Sequence, residues 1–157
     1  MSIDRLPPVG HVGVVVADMD RALEEIRQIF GIDGAGKVYD FIPMNVWAWG
    51  EKIPGCQIRI AMLDWTDSLK LEVLQPVFGE IEHKRFVDEV GGGMHHTAYY
   101  VKDYPAYRDF IVGQGGEIIF ESGLFHNFHA YHFVRYGGCK LGDRSGSCTV
   151  TFLSSFT

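Results

Sequence analysis

Two histidines each lead a short apolar run and each is followed by an aspartate seven residues on, in His11-Val-Gly-Val-Val-Val-Ala-Asp18 and His96-Thr-Ala-Tyr-Tyr-Val-Lys-Asp103. A neutral imidazole binds divalent ions and carries protons near neutral pH. A lone strand histidine is ordinarily a hydrogen-bonded core residue, but two at equivalent places in a repeat point to one shared site. Glu72 joins them as the one carboxylate in the apolar run Leu69-Lys-Leu-Glu-Val-Leu-Gln-Pro76. Buried there without a partner it would cost roughly several kcal/mol, and a cation would offset that cost. Two imidazoles and a carboxylate around open positions form a site in which a divalent ion acts as a Lewis acid. His11, Glu72 and His96 are therefore the expected metal ligands.

For those side chains to meet, their strands must present them on one face. Alternation puts His11, Gly13 and Val15 on one side of the first strand, and His96, Ala98 and Tyr100 on the matching side of the other. The same parity sends His95 to the opposite face. After the first strand, Asp18 stands at an N-cap, and Ala22, Leu23, Ile26, Ile29 and Phe30 recur at helical spacing until Gly31 stops the helix. Strands are then expected from Lys37 to Ile42, Asn45 to Trp49, Gln57 to Asp64 and Leu69 to Leu74. Pro43, Pro54-Gly55 and the polar turn Trp65-Thr-Asp-Ser68 separate them.

A helical segment around Glu82 to Val90 links the halves and ends in Gly91-Gly92-Gly93, read as a flexible joint. The second half repeats the order: a strand from His96 to Val101, a helix from Pro105 to Gly113, and strands from Glu117 to Phe120 and His129 to Tyr136. Pro105 suits a first helical turn, where its missing N–H is not needed. Arg144-Ser-Gly-Ser147 reads as a turn, and Cys148 to Leu153 alternates like an edge strand. The expectation is one duplicated α+β domain of two βαβββ modules, residues 8–76 and 93–157, joined by a linker over 77–92.

The 157 residues are 46% hydrophobic and carry a net charge of −6, with Lys and Arg scattered. That composition excludes disorder and gives no electrostatic footprint for nucleic acid or an anionic membrane. No apolar run approaches the roughly 20 residues a membrane helix needs, and Asp4 stands where a signal peptide would be basic, so a cytoplasmic protein is expected. Cys56, Cys139 and Cys148 are odd in number and include no C-x-x-C, which fits packing residues. His126, His129 and His132 cluster without a counterpart in the first half and are read as structural or pocket-lining. Trp47, Trp49, Trp65, Tyr99, Tyr100, Phe125, Phe128, Tyr131 and Phe133 suggest an aromatic cleft for a hydrophobic or planar ligand.

Gly10-His-Val-Gly-Val-Val-Val-Ala-Asp18, Leu71-Glu-Val-Leu-Gln-Pro76 and Gly93-Met-His-His-Thr-Ala-Tyr-Tyr-Val-Lys-Asp103 together resemble the vicinal oxygen chelate superfamily. That superfamily includes glyoxalase I, bleomycin-resistance proteins, extradiol dioxygenases and methylmalonyl-CoA epimerase. The similarity spans roughly residues 8–142 and is greatest to the epimerase-like branch. It implies paired βαβββ modules forming a cupped mixed sheet around a divalent ion (cobalt, manganese, nickel, zinc, magnesium or iron), usually in a homodimer.

His11, Glu72 and His96 match three of the family's four ligand positions. The fourth, usually a glutamate in the last strand that also serves epimerases as an acid or base, has no glutamate here; different alignments offer Asp143, Gly146 or Thr151. Glu51 falls in the region that supplies a second acid/base carboxylate. The implied activity is a metal-dependent isomerase, epimerase or lyase acting beside a carbonyl of a small-molecule substrate, with Glu51 and Asp143 as candidate proton carriers. Two rivals are an extradiol-type dioxygenase and a metal-free protein that sequesters an aromatic ligand.

Overall fold

The computed structural model describes residues 6–32, 37–123, 131–136 and 148–154. In chain order the elements are β1 (His11–Val15), α1 (Met19–Phe30), β2 (Tyr39–Phe41), β3 (Met44–Ala48), β4 (Glu51–Ile53), β5 (Gln57–Asp64) and β6 (Lys70–Phe78). They continue with α2 (Glu82–Val90), β7 (Gly93–Val101), α3 (Tyr104–Gly113), β8 (Glu117–Gly123), β9 (Tyr131–Tyr136) and β10 (Cys148–Ser154).

Capping chemistry sets the helix ends. The Asp18 side chain accepts from the Arg21 N–H at 3.0 Å, and Gly31, left-handed at φ 65°, closes α1 through its N–H to the Arg27 carbonyl. Asp103 caps α3 by accepting from the Ala106 N–H at 3.1 Å, with proline in the first turn as expected. The apolar stripe of α1, with Ala22, Leu23 and Ile26, packs on Val12, Val14, Leu71 and Val73. This is the side of the sheet away from His11.

The strands form one mixed sheet in the order β2-β5-β6-β1-β7-β10-β9-β8-β3-β4. β1 and β7 pair antiparallel at its middle, and each has the last strand of its own half parallel on its outer side, β6 beside β1 and β10 beside β7. A parallel neighbour needs a crossover, and α1 and α3 with the strands after them provide it. Outward from the middle, β1-β6-β5-β2 mirrors β7-β10-β9-β8.

Three sequence expectations change here. β10 is interior, hydrogen-bonded to both β7 and β9, because its alternation serves a strand covered on both edges as well as one covered on a single edge. The glycines after α2 are fixed by geometry: Gly91 is the left-handed C-cap, Gly93 already opens β7, and a Cβ on Gly92 would lie 2.8 Å from the Val15 carbonyl oxygen. The first half also holds an extra hairpin, β3–β4, which leaves its own half and pairs with β8. Its two-residue turn, Trp49-Gly50, has φ of 49° and 80°, the left-handed pair that a tight hairpin requires. A bulky residue there is strained. It is held by the Trp49 N–H to the Ile119 carbonyl at 3.1 Å and by the Arg85 guanidinium 4.8 Å above the indole.

The sheet curls until its two flanks share a core. Phe41, Ile58 and Ile60 from one flank and Val46, Ile119 and Phe120 from the other pack together with Val15 and Leu74. Ile81, the N-cap of α2, and Phe86 and Val87 on its inner face fill the space between them. α2 thus lies against the concave face, the face that carries His11.

Candidate metal centre

Two glycines make the site sterically feasible. Gly13 pairs across the sheet with His96, and a Cβ on it would sit 2.1 Å from the His96 Cε1. A Cβ on Gly10 would meet the Tyr100 ring at 2.2 Å. The strand that bears His11 therefore has no side chain where the rings of β7 must lie.

Into that space the structure brings His11, Glu72 and His96, which are 1%, 5% and 3% exposed. Each offers one donor atom to a group whose members lie within 4.8 Å of one another. Glu72 Oε2 is 3.2 Å from His11 Nε2 and 3.3 Å from His96 Nε2. Donors held about 2.1 Å from a single ion lie about 3.0–3.4 Å apart at octahedral to tetrahedral angles, which these separations match. His11 Nε2 makes no aligned hydrogen bond to Glu72 despite the short distance. The residues present thus fit a divalent ion. Burial on its own pushes the Glu72 carboxyl upward, but its interactions with His11 and His96 outweigh that and hold it well below the usual carboxylate range.

The far nitrogen of each imidazole also has a partner. His11 Nδ1 is 3.2 Å from the Tyr100 hydroxyl, and His96 Nδ1 is 3.2 Å from His95 Nδ1. Parity predicted His95 on the opposite face, and a β-bulge overturns that. Gly13 pairs with His96 but Val14 with Met94, so β7 carries one extra residue, His95, and alternation fails there. His95 packs edge-on against Phe86 of α2 at 4.9 Å and lies 5.1 Å from the His83 ring, centre to centre. Burial, then the neighbouring His96, drops the His95 pKa to about 3; burial, then His95 and His96, takes His83 well below the usual range. Both are neutral at neutral pH.

The sequence reading did not single out His83. Its signal is present, since His83, Phe86 and Val87 follow the three- and four-residue spacing of the helical stripe that packs into the core. Tyr39 was also overlooked. It lies close enough to Glu72 and Tyr100 to feel both, and burial, then those two groups, pushes its phenol up to about 12. Tyr39 and Tyr100 are 42% and 43% exposed and flank the buried trio.

The other expected residues are distributed differently. Glu51 is exposed on β4, the terminal strand of the sheet, rather than in a loop or with the buried group. Asp143 and Gly146, like Phe125, His126, Phe128, His129 and Cys139, lie outside the described residues. Thr151 takes a defined place: it pairs with Ala98, two residues past His96, as Glu72 pairs with Gly13, two residues past His11. The strand register therefore makes Thr151 the counterpart of Glu72. Of the described members of the expected aromatic cleft, Trp65 meets Phe30 of α1 and Tyr99 packs with Tyr104 and Tyr107 of α3. Of the described aromatics, Tyr39 and Tyr100 are the pair beside the trio. A groove at the other end of β1, lined by Val16, Asp18, Arg21 and Gly92, does not include the histidines.

A family model for the glyoxalase/bleomycin resistance protein/dioxygenase superfamily matches residues 10–133. Among solved structures, the methylmalonyl-CoA epimerase of Mycobacterium tuberculosis is similar at 18% identity and TM-score 0.62, over 100% of this chain and 93% of that one. A Streptomyces coelicolor methylmalonyl-CoA epimerase variant in complex with 2-nitronate-propionyl-CoA gives 18% and 0.62, over 98% and 100%. A selenomethionine methylmalonyl-CoA epimerase gives 16% and 0.59, over 99% and 100%. These likenesses establish a glyoxalase-like fold. No curated protein matches the chain.

Proposed function

Because this chain belongs to the glyoxalase/bleomycin resistance protein/dioxygenase superfamily, we propose that it is a metal-dependent epimerase or isomerase that moves a proton on the carbon beside a carbonyl. The observation that carries this reading is the buried His11–Glu72–His96 group, whose spacing suits one divalent ion. A bound ion supplies Lewis-acid stabilisation of the negative charge that develops on the carbonyl oxygen when the neighbouring carbon loses its proton.

The chain's own residues supply the rest. With its Nε2 facing Glu72, His11 donates its Nδ1 proton to the Tyr100 oxygen, which leaves the phenol O–H free to point toward the exposed side. Tyr100 then holds a proton beside the reacting carbon, and burial keeps that phenol protonated. Tyr39 is a second protonated phenol on the same side. The proton acceptor in this reading is Asp143, whose segment leads into β10, where Thr149 pairs with His96. Glu51, exposed on the terminal strand, is the weaker choice.

Methylmalonyl-CoA is the first substrate to try, since similar structures are of enzymes named for it. Incubation in deuterium oxide with proton NMR should show exchange at the carbon next to the thioester, abolished by chelation and by His11→Ala. Purified protein that takes up no divalent ion by mass spectrometry would remove the metal reading. A set of two histidines, one carboxylate and a threonine at the fourth register position also suits ferrous iron. Oxygen consumption with a catechol after anaerobic purification would favour an extradiol-type ring-cleaving dioxygenase instead. The proposal includes a cytoplasmic homodimer; light scattering that returns the 17.7 kDa monomer at micromolar concentration rejects the dimer.

A further inference from the structure

We infer that His95 is a positioning residue for the metal ligand His96: its Nδ1 accepts a hydrogen bond from the His96 Nδ1–H and so keeps the His96 Nε2 lone pair turned toward Glu72. The inference rests on the metal reading above and extends it inward to groups that no part of that reading uses.

Three observations carry it. The contact between the two Nδ1 atoms, 3.2 Å, is aligned as a hydrogen bond, so one nitrogen carries a proton directed at the other. His96 Nε2 faces Glu72 Oε2 at 3.3 Å, and a nitrogen that is to bind an ion must be bare. The proton on His96 therefore belongs on Nδ1, with His95 Nδ1 as its acceptor. Finally, the bulge in β7 turns His95 inward, and Phe86 and His83 of α2 wedge its ring there, perpendicular to that of His96. An imidazole held by an aromatic wall on one side and a second histidine on another cannot swing away without moving α2.

The His83, His95 and His96 donors also lie within 4.8 Å of one another, and a second ion there is the rival reading. The aligned His95–His96 contact opposes it, since lone pairs that bind one ion converge on a third point instead of on each other. The three-histidine group also contributes no negative charge to balance a buried dication.

The test compares cobalt(II) affinity and the visible absorption of bound cobalt in His95→Phe, which keeps bulk but removes the acceptor, and His95→Asn, whose Oδ1 can stand near the lost Nδ1. His95→Phe should bind cobalt about 10- to 100-fold more weakly than the parent with an altered spectrum, and His95→Asn should recover most of the loss. Equal cobalt affinity in the parent and His95→Phe, or no recovery in His95→Asn, overturns the inference. So do two ions per chain that fall to one on His83→Phe, which would establish the second metal site.

Nitrogen NMR of the zinc-loaded parent is independent of any variant's folding. It should show His96 protonated on Nδ1 and coupled across the hydrogen bond to His95; protonation on Nε2 overturns the inference. A parent that binds no ion defeats the metal reading itself, whereas a parent that binds one ion and is indifferent to His95 defeats only the positioning role.

Discussion

β6 and β10 stand in the same relation to the two histidine strands, yet they bring different chemistry. β6 runs parallel to β1 and puts Glu72 opposite Gly13; β10 runs parallel to β7 and puts Thr151 opposite Ala98. The backbone symmetry of the two halves survives while the donor set is broken, so the register of a site and its ligands are separable properties. On the proposed metal reading, a carboxylate on one side and a threonine at the matching register position on the other give three donors among the described residues, with more open positions than a four-donor centre. That is the arrangement of a site that exchanges ligands rather than one that only holds structure together.

The surroundings of the two imidazoles differ in the same way. His11 is backed by Tyr100, which is 43% exposed, and His96 by His95, which is 8% exposed with His83 behind it. One imidazole looks toward solvent through a phenol. The other is anchored in the core by a bulge and a helix.

The largest effect expected on this contrast comes from erasing its charged side. Glu72→Gln removes the only carboxylate of the trio, and isothermal titration should show divalent-ion affinity falling at least about 1,000-fold, or about 4 kcal/mol. Retained affinity would mean that the trio is not the metal site. Gly13→Ala should come next, since its Cβ would overlap the His96 ring. Overpacking of this kind costs about 1–3 kcal/mol, read as a lower denaturation midpoint. Metal affinity should fall with it as His96 is pushed aside; a variant as stable as the parent would show that the ring has room.

Tyr100→Phe tests the solvent-facing side of the contrast. Isotope exchange should drop about 100-fold, the ordinary scale of a lost general acid, while ion affinity changes much less. Equal loss of both would make Tyr100 a support for His11 rather than a proton carrier. Thr151→Glu should restore the symmetry and raise ion affinity about tenfold, or about 1.4 kcal/mol. No gain would show that matching register does not bring the two positions to the same point.

An effect of similar size, seen only at alkaline pH, lies at the fully buried Cys56, where the two sheet flanks meet. Burial raises its thiol from 9.0 to about 11. Between those values the unfolded chain has lost the proton that the folded chain keeps, so stability should fall as pH rises from 9 to 11, by about 1–2 kcal/mol. Denaturation of parent and Cys56→Ala across that range should show the shallower slope in the variant, and parallel slopes would mean that the thiol ionises freely in the fold.

How much could be read in advance varied with the range of the interaction responsible. His11 and His96 are legible from period-two alternation within motifs that the chain repeats, Glu72 from a single carboxylate in an apolar run, and the caps of α1 and α3 from single residues, Asp18, Gly31, Asp103 and Pro105. His95 could not be placed, because a bulge depends on which residue of β1 faces which residue of β7. β10 was misread as an edge and β3–β4 was not seen to join β8, since a strand's own pattern does not name its neighbours. His83 is within reach of helical spacing, since it shares a face of α2 with Phe86 and Val87.

The sequence by itself determined which atoms could bind an ion and which residues turn the chain, because alternation, capping and glycine's freedom act over a few residues. Only the tertiary structure decided that Gly13 leaves room for the His96 ring, that His95 turns inward to meet it, that α2 fills the concave face behind them, and that Thr151 answers Glu72 across the sheet. Each of those depends on the pairing of strands far apart in the chain, which closes long loops and reverses direction at every hairpin. No stretch of a few residues carries that information.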